Sequence, residues 1–595
     1  MISLPTIGDL QRCPEPGEFQ YRALEAGEIR LLRLETSGAD VPTLSMFHVQ
    51  LDQAPTYEYR AISYFWGDPK NTVNLVMDSS SKFVSITRSC ASIINRLSDS
   101  SILEDWVGPR VFWIDGICIN QADLKERALQ VLLMASIYKN ASRVVIDLGE
   151  SSLDSNLAIS SIKAIYQLTS PGSVTITSGV PASKSDIDAI YNLINRPWFS
   201  RVWVLSEVFM AKDDLPMICG KDSMMLSTLH FTLWWLKNRN SKLRQELITL
   251  KMYTGFEQSL HSGHSKFFKM LQEAQLCQSS DPRDKVFALL PMFSEIPHPD
   301  LRPDYEISVR DLYIRLARYL LETTGLSLLG CIQGPSSIDN LPSWVPDWSH
   351  LSVNNSFSFH IRYHSTPAGA YTLRTTEEGQ CALGLQGFRI GRICHLSYII
   401  DVPTYGFNTI QNLFSRVYHH VESDVRMPTC QEGETNQDML FQTFVPPDVV
   451  AYGQEEITVE FEKIGHGPDL IYGQDGSFAR LLEDVIPGKH DKRGKRRRRI
   501  IKHMENRRFC AVNTMFPAIV PRETDYKDEL CVIDHCTVPL VLRRDESNWR
   551  LIGPAFVAGL MDVQGRPKLQ VMDRIRNMRA AESPAVPDRE QFWIV

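Results

Sequence analysis

The stretch RVFWIDGICINQADLKERALQVLLMASIYKNASRVVIDLGE, residues 110–150, decides the fold class. Val111-Phe112-Trp113-Ile114 is a short unbroken apolar run, the pattern of a strand buried on both faces. Asp115 closes it. Residues 122–138 then place Leu124, Ala128, Val131, Ala135 and Tyr138 at helical spacing, with Glu126 and Arg127 expected on the opposite side, facing solvent or making a local pair. Val144-Val145-Ile146 reads as a second buried strand. Strand, helix and strand with short connections make a βαβ unit, which implies a parallel sheet.

Working outward, EIRLLRLE (28–35) alternates as a strand does, and Tyr59–Tyr64 is strand-like until Trp66-Gly67-Asp68-Pro69 stops it with turn chemistry. Residues 87–99 carry Ile93, Ile94 and Leu97 at helical spacing. The Ser- and Thr-rich span 151–187, with Pro171 and Pro181, reads as a helix followed by a variable loop inserted in the α/β unit. Phe199 to Phe209 reads as one helix, because Leu205 and Phe209 fall four apart. Residues 225–330 look mostly helical. Ser280 or Asp281 would cap a helix that has Pro282 in its first turn, and 308–325 is an amphipathic helix stopped by Gly325. From 340 the texture changes to short β-like runs at 341–349, 382–393 and 507–561. The expected organisation is an extension (1–50), an α/β domain (51–212), a helical region (213–335), a mixed β-rich region (336–484), a basic linker (485–506) and a β-rich C-terminal region (507–595).

Composition bounds the rest. At roughly 150 residues per domain, 595 residues suggest about four domain-sized units. A hydrophobic share of 43% with 22% charged residues is globular. A net charge of −7 gives no chain-wide affinity for nucleic acid. The 12 cysteines are irregularly spaced and form no disulfide framework. No apolar run approaches the ~18 residues that span a bilayer, and the N-terminus lacks a secretory pattern. A cytoplasmic protein is expected. Eight Lys or Arg between 489 and 499 read as a solvated linker or a nuclear-import address. No Gly-x-Ser-x-Gly elbow, His-Glu-x-x-His helix, phosphate loop or dinucleotide fingerprint occurs, and Cys531 and Cys536 lack a second ligand pair, so no metal site is expected.

Four ordered blocks carry a resemblance: YRAISYFWGD (59–68), FWIDGICINQADLKERALQVLLMASIYKNASRVV (112–145), RPWFSRVWVLSEV (196–208) and DPRDKVFALL (281–290). Together they resemble a fungal heterokaryon-incompatibility (HET) domain protein. Four positions depart from the usual pattern: Ser206 stands where Gln is usual, Phe65 where Cys or Thr is frequent, and Val563-Gln564 follows Asp562 where Gly-Glu is usual. The resemblance implies a role in non-self recognition and regulated cell death, with protein partners and self-association. HET domains are in turn similar to Toll/interleukin-1 receptor (TIR) domains, whose catalytic members cleave NAD at the nicotinamide–ribose bond. Carried onto this chain, that likeness implies a TIR-like fold and makes Glu207 the catalytic carboxylate, with NAD as substrate and no cofactor.

Ligands of parallel α/β sheets bind beyond the C-terminal strand ends. The expected cleft is therefore lined by Ser63, Tyr64, Trp66, Asp68 and Asp115 around Glu207, with Trp203 also in the substrate-binding set. Each residue has a structural rival reading. Glu207 would pair with Arg201 or Arg196, Asp115 would cap a turn, and Trp66, Trp113 and Trp203 would pack the core. Asp281, Arg283 and Asp284 would only start a helix. Two functions share this fold: an effector acting through NAD cleavage, and a non-catalytic module that signals by assembly.

Overall fold

The computed structural model describes residues 17, 19–35, 43–52, 58–77, 82–99, 109–170, 182–237, 263–293, 299–332, 334–349, 369–377, 379–397, 399, 506–512, 516–557 and 589–595. The basic run 489–499, the loop around Pro171 and Pro181, and the tail at Asp562–Gln564 lie outside them. The chain divides into two units, Met1–Ser308 and Val309–Val595.

The first unit is built on a nine-stranded sheet. Its strands are β1 (Glu28–Glu35), β2 (Thr43–Gln50), β3 (Arg60–Tyr64), β4 (Thr72–Met77), β5 (Lys82–Thr87), β6 (Arg110–Trp113), β7 (Arg143–Asp147), β8 (Pro216–Cys219) and β9 (Asp222–Met225). They lie in the order β5-β4-β2-β1-β6-β3-β7-β8-β9. The sheet is parallel at its centre, as the βαβ unit predicts, where β3 runs parallel to β6 and β7 and β7 to β8, and again where β2 meets β4. On either side the pairs β1–β2, β1–β6, β4–β5 and β8–β9 are antiparallel, so the sheet is mixed. Hairpin connections join only antiparallel neighbours, whereas parallel ones need a crossover. β1 and β2 come from the N-terminal extension and are strands of this same sheet.

Helices supply the crossovers. They are α1 (Arg88–Ser98), α2 (Asp115–Cys118), α3 (Leu124–Asn140), α4 (Ser155–Thr169), α5 (Lys184–Ile194), α6 (Val204–Met210), α7 (Leu226–Lys237), α8 (Gly263–Ala274) and α9 (Asp284–Phe287). Local chemistry starts several of them. The Thr87 hydroxyl accepts from the Cys90 N–H ahead of α1, and the Asp123 carboxylate accepts from the Lys125 and Glu126 N–H groups ahead of α3. Ser183 and Asp186 form a capping box on α5. Buried Cys90, Ala91, Ile93, Ile94 and Leu97 make the apolar stripe of α1.

Two local readings are corrected. Glu126 does not face solvent: its carboxylate accepts two bonds, at 2.6 and 2.9 Å, from the guanidinium of the fully buried Arg30 on β1. The helix expected over 199–209 is broken. Pro197–Ser200 is a 3-10 turn, Arg201 is extended, and only Val204–Met210 is α-helical. Arg201 instead bridges Gln278 as a strand would, with the Val202 N–H donating to the Gln278 carbonyl at 3.0 Å.

The second unit begins with α10 (Val309–Thr324), ended by Gly325 at φ +67. The rest is β-rich: β10 (Tyr371–Thr375), β11 (Cys381–Leu396), β12 (Arg507–Val512), β13 (Phe516–Pro521), β14 (Glu529–Ile533), β15 (Leu540–Asp545), β16 (Asn548–Pro554), β17 (Phe556–Val557) and β18 (Glu590–Ile594). β11 pairs with both β14 and β18, β14 with β15, β15 with β16, and β16 with β18, so five strands close on themselves. A register shift between Arg389 and Gly391 bends the long β11. Ile390, Val520, Leu530, Val541 and Ile552 fill this unit's core. The run 341–349 is not a strand but a series of turns. Pro342 and Pro346 offer no N–H to a ladder, and Trp344 is held inside by its indole N–H donating to the Cys381 carbonyl at 2.9 Å.

Candidate functional site

β3 is buried along its whole length and ends at Tyr64. Gly67 makes the turn after it, at φ +75; a Cβ there would lie 2.5 Å from the Ser89 Oγ. The side chains that β3 delivers to its C-terminal end meet those of α2, α3 and α6. The Ser63 hydroxyl accepts from the Trp198 indole N–H at 2.8 Å and donates to the Glu207 carboxylate. The Tyr138 hydroxyl also bonds that carboxylate, and Arg201 stands 4.0 Å away. The Arg201 guanidinium donates to the Tyr64 carbonyl. Beside it the Asp115 carboxylate accepts from the Trp66 indole N–H, at 2.9 and 3.0 Å to its two oxygens, and from the Tyr64 hydroxyl. Gly116 is needed for that fit, since a Cβ there would lie 2.5 Å from the Tyr64 hydroxyl.

Five of the expected site residues, Ser63, Tyr64, Trp66, Asp115 and Glu207, therefore converge in one network. Two do not. Asp68 is exposed and caps its own turn, accepting from the Lys70 N–H at 2.9 Å. Trp203 points its indole at Asp284. Sequence reading gave Arg201 only as a rival partner of Glu207 and missed Tyr138 and Trp198. Trp198 and Arg201 lie inside the RPWFSRVWVLSEV block, which was the available signal.

The electrostatics follow from burial. Glu207 is 1% exposed, and loss of water pushes its carboxyl up to about 7. Arg201 and the Ser63 and Tyr138 hydroxyls pull the other way, while the Asp115 charge raises it further. Burial likewise raises Asp115, against Arg201, Trp66 and Tyr64. One guanidinium serves two buried carboxyl groups and burial outweighs its pull, so Glu207 holds its proton more tightly than a solvated carboxyl does.

The DPRDK block has a structural use. Asp281 pairs with Arg283 at 2.8 Å, and Arg283 donates to the Tyr305 and Ile307 carbonyls at 2.6 and 2.8 Å. α9 is only four residues long and its cap position is Arg283, so Asp281 fixes the turn before it rather than capping a longer helix. Asp284 accepts from the Tyr305 hydroxyl at 2.7 Å and lies 3.6 Å from Arg127, whose guanidinium sits 3.7 Å above the Tyr305 ring. The Lys285 ammonium is buried at the end of α8 and donates to the carbonyls of Ala274, Gln275 and Cys277.

A cleft of about 310 Å³ opens beside the network. Phe65, just past β3, and Asp147–Glu150, at the end of β7, form one side of it. Arg88, Ser89, Ser92, Ile93 and Arg96 of α1 form another, and Pro197 and Trp198 close it. Glu207 does not line it; Trp198 touches both the cleft and Ser63, the residue bonded to Glu207.

The family model described as heterokaryon incompatibility protein (HET) matches residues 59–207, from the residue before β3 to Glu207 itself, so this span of the chain is a HET domain. Over 663 residues, covering 90% of this chain and 94% of the relative, it is 22% identical to heterokaryon incompatibility protein 6, OR allele, of Neurospora crassa. No solved structure matches the chain. Among the described residues no helix is long and apolar enough to cross a membrane.

Proposed function

We propose that this chain acts in fungal non-self recognition and incompatibility-type cell death, with its TIR-like HET domain as an effector that cleaves NAD. The match over 59–207 and the whole-length likeness to an incompatibility protein support the biological role. The central order β6-β3-β7-β8 supports the TIR-like reading: the first parallel strand lies inside, flanked by the second and the third. The observation that carries the chemistry is Glu207, bonded to Ser63 under the C-terminal end of β3.

The reaction asks little of the protein. The bond between ribose C1′ and the pyridinium nitrogen breaks, and nicotinamide departs neutral with the bonding pair. Water adds to C1′ and gives its proton to the Glu207 carboxylate. A carboxylate at that place also stabilises the developing oxocarbenium charge. Because Glu207 is enclosed, the chemistry requires the Trp198–Ser63 cover to move when copies are brought together.

The second reading, signalling by assembly with protein partners and no catalysis, is favoured by that enclosure: the carboxylate sits outside the cleft. NAD consumption by the purified full-length protein, clustered on a multivalent scaffold, separates the two. Turnover lost in Glu207→Gln supports the effector. Absence of turnover, or turnover indifferent to the substitution, removes the catalytic reading and leaves assembly.

A further inference from the structure

The path of the chain singles out one crevice. From β3 it reaches β6 on one side of β3, then returns through α3 to β7 on the other, so the winding reverses between β3 and β7. Sheets of this kind hold ligands at the reversal, outside the C-terminal strand ends. The 310 Å³ cleft is at that place, between Phe65 past β3 and Asp147–Glu150 at the end of β7. Its volume is at the lower end of small-molecule sites, roughly 300–1,000 Å³. That suits a mononucleotide-sized ligand better than a dinucleotide.

The lining narrows the chemistry. Phe65 is a large aromatic left 39% exposed at the rim, and with the exposed Pro197 it offers an apolar face for a planar ring, backed by the buried Ile93, Leu148 and Trp198. The polar groups divide by state. Arg96 holds Asp147 through two bonds of 2.8 Å and also bonds Glu150, so its charge is matched within the wall. Arg88 uses Nε on Asn71 Oδ1, at 2.8 Å, which fixes a guanidinium at the mouth over the first turn of α1. There the helix also favours negative charge. Glu150 and Ser92, bonded to one another, also line the cleft and suit the hydroxyls of a sugar.

We infer that the crevice between β3 and β7 binds a nucleoside monophosphate, its base against Phe65 and its phosphate at Arg88. This site does not need Glu207 to be catalytic: the ligand has no nicotinamide–ribose bond to break, so binding can fail while NAD cleavage stands, or stand while cleavage fails.

Titration calorimetry on the full-length protein tests it, using the four nucleoside 5′-monophosphates, adenosine and ribose 5-phosphate. At least one monophosphate should bind, with adenosine and ribose 5-phosphate each at least about tenfold weaker than the adenine or best nucleotide. Phe65→Ala and Arg88→Gln, both at the exposed rim, should each weaken that binding about tenfold while leaving the unfolding temperature unchanged, in line with the loss of one stacked base or one charge-assisted contact. The assignment is overturned if no monophosphate binds, if ribose 5-phosphate or adenosine binds as tightly, or if both variants bind as the parent does.

Discussion

Replacing Glu207 by glutamine exchanges a buried carboxyl for an amide of the same shape and leaves acceptors and donors for Ser63 and Tyr138. The consequence is a change in how stability depends on pH. Burial lifts this carboxyl from 4.5 to about 7, so the folded chain binds the proton more tightly than the unfolded chain does. Stability from this group is complete below 4.5 and is lost as pH climbs through about 7. At about 1.4 kcal/mol per pH unit, the loss is about 3 kcal/mol. Glutamine has no proton to lose, so the variant should gain on the parent by that amount between pH 4.5 and 7.5. For a folding unit of 308 residues the gain corresponds to a Tm difference that widens by about 5 °C. Scanning calorimetry of both proteins across that range reads it directly. A difference that stays constant with pH would refute the reasoning, because the carboxyl would then titrate as it does in water. The same measurement shows that Glu207→Gln is folded at neutral pH, which makes it a sound control for NAD turnover.

Two further predictions concern buried charge. Glu126→Gln leaves the fully buried Arg30 without its counter-ion and should cost about 3–5 kcal/mol in urea unfolding, whereas the pair Arg30→Met with Glu126→Leu should recover most of it; a single-variant cost below about 1 kcal/mol would mean that this pair does not tie β1 to α3. Lys285→Met strips the donor from the carbonyls of Ala274, Gln275 and Cys277, and should cost about 3 kcal/mol and speed amide exchange at the end of α8. Unchanged exchange there would show that the ammonium is not what closes that helix.

The central α/β unit was legible because burial on both faces leaves unbroken apolar runs. Arg110–Trp113, Leu124–Asn140 and Arg143–Asp147 fall within a few residues of where periodicity put them. Glu28–Glu35 coincides with its alternating run, although its partners could not be named from alternation alone. Other readings failed where a distant contact outweighed a local preference. Glu126 looked like a solvent-facing helix acid until β1 brought Arg30 against it. The 199–209 segment looked like one helix until Gln278 drew Arg201 into a strand-like bridge. Asp147 ends its strand much as Asp115 follows its own. The strand-end rule that selected Asp115 also reaches Asp147, which lines the cleft.

The sequence by itself determined which residues gather at the candidate site: the order of apolar runs and turns put Ser63 and Asp115 at strand ends, and block spacing put Glu207 on the following helix. Only the tertiary structure decided what those residues face. The burial that raises the Glu207 carboxyl to about 7, against the pull of Arg201, Ser63 and Tyr138, depends on groups from β3, α3 and the turn before α6 meeting in one water-poor volume. The reversal of winding between β3 and β7 opens a cleft next to that carboxyl rather than around it. Solvation and strand neighbours are properties of the packed chain, and local pattern does not encode them.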